Sequence, residues 1–150
     1  WFRGDLMGMP GDEDGGGMTA FVVFSMMGIY PVTPGIPVCN IGTPFFSKVT
    51  LRLASGRTFV IEAEGASSEN KYIQKATLNG KPLDDSVQST DDLVAQIFNA
   101  YKGKPLDRPW IRHSDLAAGG KLVFTMGSRP NKSWGATTPP TSAERVELTE

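Results

Sequence analysis

The sequence is short of several things, and each shortage removes a class of answer. There is one cysteine, Cys39, so no internal disulfide can staple the chain. Its apolar setting in "IPVCNIG" suits an inert buried thiol. There is one histidine, His113, with no second histidine or nucleophilic cysteine at a telling spacing. A zinc site or a Cys–His dyad is thereby excluded, and His113 is expected to be structural. Surplus charge is lacking too: 15 Lys and Arg against 16 Asp and Glu leave a net charge of -1. A nucleic-acid partner would call for a basic face, so none is expected. The longest apolar run, "MTAFVVFSMMGIY", is too short for a membrane span. The chain opens at Trp1 with neither a charged leader nor a cleavage signal, and is expected to be a piece of a longer protein.

What is present is turn chemistry and patterned apolar residues. The 17 glycines and 11 prolines imply many turns in a chain of 150 residues. "MTAFVVFSMMGIYPV" is expected to be one buried helix, apolar nearly all round, ended by Gly28 and Pro31. "PVTPGIP" has the composition of a linker. Strands are expected beyond it. Val49, Leu51 and Leu53 alternate with polar neighbours, Ser55–Gly56 turns the chain, and Phe59, Ile61 and Ala63 alternate again. "KYIQKATLNGKPL" reads as a strand closed by an Asn79–Gly80 turn, and "KLVFTMG" as a strand burying Leu122, Phe124 and Met126. The class is therefore mixed α+β, with a small antiparallel sheet. "GKPLD" occurs twice, at 80–84 and 103–107, around an amphipathic helix starting at Thr90. The expected division is 1–36, 37–127 with a helical insertion at 84–106, and a partly disordered Pro/Thr/Ser-rich tail at 128–150.

The stretch that carries chemistry is "PGDEDGGGMTAF", Pro10 to Phe21. It lacks the ligand spacing of an EF-hand, and position twelve of such a loop would be Val23. Three carboxylates would repel a phosphate. Two readings remain open on the residues alone. One acid can cap the helix, a contribution of about 1 kcal/mol. Alternatively, Asp12 and Asp14 project to one side of an extended segment and hold a water or a metal ion, while the glycines admit a ligand close to the backbone.

The block "GMPGDEDGGGMTAFVVFSMMGIYPVTPGIPVCNIGTPFFSKVTL" strongly resembles the C-terminal part of the bacterial α-mannosidases of glycoside hydrolase family 92. "YIQKATLNGKPL", "RPWIRHSDLAAGGKLVFTMGSRPN" and "SWG" resemble the same family's closing segment. The resemblance implies a calcium-dependent, inverting exo-α-mannosidase, periplasmic or extracellular, with α-1,2-linked mannose in glycans as the favoured substrate. It further implies that the helix after the glycines is a late helix of an (α/α)6 barrel, followed by a β region. Asp14, with Asp12 beside it, matches the family's general base, and Asp14 is also expected to contact the metal. The catalytic acid of the family is a Glu upstream of this segment, so the remainder of the parent chain is an implied partner and the fragment alone is expected to be inactive. Many members carry Asn at the position of Asp12 and Cys-Gly-Gln at Gly15–Gly17. The competing expectation is a non-catalytic carbohydrate-binding or structural β module.

Overall fold

The computed structural model describes residues 1–82 and 108–136; the insertion expected at 84–106 and the last part of the tail lie outside them. Helix α1, Gly17–Met27, runs out of a 3-10 turn at Asp14–Gly16 and stops where Gly28 adopts φ 81°. The amide of Gly28 then donates back to the carbonyls of Phe24 and Ser25, the usual satisfaction of a helix C-terminus. Gly28 is required for space as well as for φ. A Cβ there would lie 2.9 Å from that of Pro44.

Immediately after the helix come β1, Ile29–Tyr30, and β2, Val38–Ile41, which pair antiparallel with Ile29 opposite Ile41. The proline-rich stretch between them is thus the loop of a hairpin rather than a spacer. β2 also pairs with β7, Trp110–Arg112, completing a three-stranded sheet. The second sheet is built from β3 (Lys48–Arg52), β4 (Thr58–Glu64), β5 (Tyr72–Leu78), β6 (Lys81–Pro82) and β8 (Gly120–Gly127), in the order β3-β4-β8-β5-β6. A short helix α2, His113–Ala117, leads from β7 towards β8.

The alternating residues do what their spacing demands. Phe59, Ile61 and Ala63 face inward from β4, and Leu122, Phe124 and Met126 from β8. They share one core with Ile73 and Ala76 of β5 and with Ile29, Cys39 and Ile111 of the smaller sheet. The expected antiparallel sheet differs in one pairing. β8 enters between β4 and β5 and runs parallel to β4, with Phe59 opposite Gly120 and Glu64 opposite Thr125. It is antiparallel to β5. Side-chain alternation is the same for either strand direction, so the pattern could not reveal this. On the outer face Glu62 sits between Lys48 Nζ at 3.1 Å and Lys121 Nζ at 2.6 Å, tying β3, β4 and β8 together.

Phe24 and Met27 of α1 pack on this core, but no residue of the helix is fully buried. The helix expected to be enclosed is therefore open on its far side. Phe21 and Val23 remain 39% and 50% exposed, and Leu6, Met7 and Val32 are exposed as well. Residues past β8 are held down: Gln74 Nε2 donates to the Arg129 carbonyl at 2.8 Å, and Asn131 Nδ2 donates to that of Gln74 at 3.0 Å.

Candidate functional site

The C-terminal end of α1 is anchored to the sheets. Phe45 donates its amide to the Met26 carbonyl at 2.9 Å, and Gly42 donates to that of Gly28 at 2.9 Å. An eleven-residue helix rises about 16 Å, so the acidic loop stands well away from that anchor. The N-terminal segment folds back beside the helix, where the ring of Phe2 lies 6.3 Å from that of Phe21 and Phe21 meets Tyr30 edge-on at 5.3 Å.

At the start of the helix the three acids take different parts. Glu13 is the cap. Its Oε1 accepts from the Thr19 amide at 2.8 Å, its Oε2 accepts from the Gly16 amide, and its own carbonyl accepts from Met18 at 3.1 Å. A bond from the Thr19 side chain first, then the amides of Thr19 and Gly16, hold its carboxyl below the ordinary glutamate value. Orphan amides at a helix start need an acceptor, and here one carboxylate serves two of them.

Asp12 and Asp14 are left over. Both are exposed, and among the described residues neither carboxylate has a hydrogen bond or an ion pair. The premise that put them on one side of an extended segment does not hold, because Glu13 has a helical backbone (φ -77°, ψ -20°). Instead the chain makes three consecutive left-handed steps: Asp14 at φ 56°, Gly15 at 63° and Gly16 at 105°. Such a step costs a residue with a side chain about 1–2 kcal/mol. A non-glycine residue held there is an outlier of the kind that gathers at functional sites. The glycines are needed for conformation rather than for tightness, since a Cβ on Gly15 or Gly16 would meet nothing within 4 Å.

The role of Glu13 is what reasoning from residues missed. Helix caps are ordinarily Ser, Thr, Asp or Asn, whose short side chains reach the second or third amide. Glu13 reaches the amide six residues on because the left-handed turn folds the chain back over it.

Two free carboxylates suit a hard cation in kind, but calcium takes six to eight oxygens. Among the described residues no group of three or more His, Cys, Asp or Glu could hold a metal. Asp12 and Asp14 could at most be part of such a shell, completed by water, ligand hydroxyls or further chain.

The other candidates lie elsewhere in the fold. Cys39 is buried in β2, and burial raises its thiol pKa. His113 is exposed at the first position of α2, its amide bonded to the Pro37 carbonyl at 2.8 Å. Trp110 is buried, with the guanidinium of Arg108 over its ring at 4.5 Å. Arg108 also bonds Asp115 at 3.3 Å, and Asp115 accepts the Arg112 amide at 2.9 Å.

Comparison with known proteins places these features in a family context. Residues 1–100 match the family model described as the glycosyl hydrolase family 92 catalytic domain. The chain is similar to an uncharacterized secreted glycosidase of Arthroderma benhamiae, 35% identical over 137 residues, which is 89% of this chain and 14% of that protein. It resembles the structure of a family 92 inverting mannosidase from Bacteroides thetaiotaomicron with a TM-score of 0.69 and 35% identity, covering 92% of this chain and 16% of the other. A family 92 alpha-mannosidase of the same organism, solved with mannoimidazole, gives a TM-score of 0.73 at 25% identity, covering 93% of this chain and 16% of the other. The chain thus spans about one-seventh to one-sixth of the length of the relatives it matches.

Proposed function

The chain belongs to glycoside hydrolase family 92, and on that premise we propose that it is the part of an exo-acting α-mannosidase that supplies the general base. The observation that carries the reading is the division of labour in the acidic loop. Glu13 satisfies the helix amides, so the carboxylate of Asp14 stands exposed and unengaged on a strained backbone. A base that takes a proton from water needs such an available oxygen.

In the proposed reaction Asp14 accepts the proton of a water attacking the anomeric carbon of a terminal α-linked mannose, α-1,2-linked by preference. Inversion requires the acid and the base to be about 6.5–9.5 Å apart across the bond. Asp12, two positions from Asp14, is placed beside the base rather than across from it. On the family resemblance the acid belongs to the parent chain outside these residues, as does most of the sugar pocket. A calcium ion bound at Asp14 would supply a Lewis-acid hold on sugar hydroxyls. Asp12 and Asp14 contribute acceptor oxygens to that region, and Gly15–Gly17 keep the approach free of side chains.

The open face of α1 supports the same reading. Phe21 and Val23 are exposed apolar residues of α1 of the kind that pack against further helices. We assign that covering to the rest of the catalytic domain. A periplasmic or extracellular location agrees with the description of the Arthroderma relative as secreted. No helix among the described residues is long and apolar enough to cross a membrane.

The test is to assay this chain alone, with calcium, on an α-linked mannobiose. No turnover is expected. Turnover would overturn the claim that the acid lies outside these residues.

A further inference from the structure

We infer that Glu13 is a positioning residue for the proposed reaction: its carboxylate closes the loop that holds Asp14 in the left-handed conformation. This rests on the reading of Asp14 as the base. The geometry singles Glu13 out. Its two oxygens bond the amides of Gly16 and Thr19, which follow Asp14, while its own backbone precedes Asp14. Asp14 and Gly15 are thus enclosed in a ring made by one side chain. A free Asp would leave φ 56° for the right-handed or extended region, and nothing else described bonds the Asp14 side chain to prevent it.

The space around the loop leads to the same conclusion. Among the described residues a Cβ on Gly15 or Gly16 would meet nothing within 4 Å, so none of them packs against the turn. Among the described residues a Cβ on Gly17 would meet only the Cβ of Asp14, at 3.5 Å. Within the described residues, hydrogen bonding sets the direction in which Asp14 points. Glu13 is the poorer base, because both of its oxygens accept backbone N–H groups and those bonds lower its basicity.

Substitutions grade the effect. Glu13→Gln keeps one acceptor oxygen and turns the other position into a donor facing an N–H. Glu13→Ala removes both acceptors. In the complete enzyme chain of which this segment is part, kcat is measured per folded molecule, at a temperature where circular dichroism shows each variant folded. A misplacement of about 1 Å can cost 10²-fold in rate. The expected falls in kcat are about 10-fold for Glu13→Gln and about 100-fold for Glu13→Ala, with KM within about twofold. If Glu13→Ala does not fold, the Glu13→Gln value decides. A purely structural cap would lower the melting temperature and leave kcat within about twofold, and that result would overturn the inference. Asp14→Asn is the control: if it retains wild-type kcat, the base reading fails, and this inference with it.

Discussion

The amide of Thr19 lies 2.8 Å from Oε1 of Glu13, six residues earlier in the chain. This bond decides which of three neighbouring acids is structural and which are available. It also makes the start of α1 sensitive to pH. The Glu13 carboxyl titrates lower in the fold than its ordinary value of 4.5, through its bonds to Thr19 and Gly16. A depressed carboxyl contributes stability above the unfolded value and loses it as pH falls through the folded one. In a 15N NMR titration the Thr19 cross-peak should therefore hold its position at neutral pH and move with a midpoint below 4.5. A Thr19 peak that does not titrate would show that the bond is absent in solution.

Gly28 and Gly56 share nearly the same φ, 81° and 79°, but differ in surroundings. Nothing lies within 4 Å of a Cβ on Gly56, whereas one on Gly28 meets Pro44 at 2.9 Å. Gly56→Ala should cost about 1–2 kcal/mol, the left-handed penalty alone. Gly28→Ala should cost about 1–3 kcal/mol more, because the clash adds to that penalty. Urea unfolding of the two variants checks the difference, and equal midpoints would contradict it.

Phe124 is fully buried on β8, the central strand of the larger sheet. Phe124→Ala should destabilise by about 3–5 kcal/mol, enough to unfold a marginal domain. Thr125→Ala, on the exposed face of the same strand, should stay within about 0.5 kcal/mol. Comparable losses for the two would mean that β8 is not where the core lies.

Cys39 offers a chemical probe of the same core. With its thiol buried and its pKa raised, it should resist a thiol reagent at pH 8 and react at once in denaturant. Rapid native labelling would place Cys39 outside the core.

Much of the β structure was legible because the apolar residues of each strand face one core. Val49 and Leu51 against Phe59, Ile61 and Ala63, with Ser55–Gly56 between, specify the β3–β4 hairpin and its register. Asn79 and Gly80, at φ 52° and 78°, make the turn their pairing requires. Gly28 ends α1 as the sequence indicates. Strand direction was not legible, since alternation says which face is buried and not which way the chain runs. Nor was the β1–β2 hairpin, because its pairing spans a proline-rich loop that reads locally as a spacer. At the candidate site the acids and glycines could be found, but not their roles. Extended geometry pairs Asp12 with Asp14, while the left-handed turn separates the cap, Glu13, from the free acid, Asp14. The family resemblance directed attention to Asp14, while the hydrogen bonds of Glu13 show which acid is the cap and leave Asp12 and Asp14 unengaged.

The central claim is that Asp14 is the base, and kinetics of Asp14→Asn in the complete enzyme test it most directly. Asn keeps the size and loop preference of Asp but cannot take a proton from water. With an α-linked mannobiose as substrate, kcat should fall by about 10²–10⁴-fold while the variant remains folded. A folded Asp14→Asn enzyme with kcat within about threefold of the unsubstituted one would contradict the account.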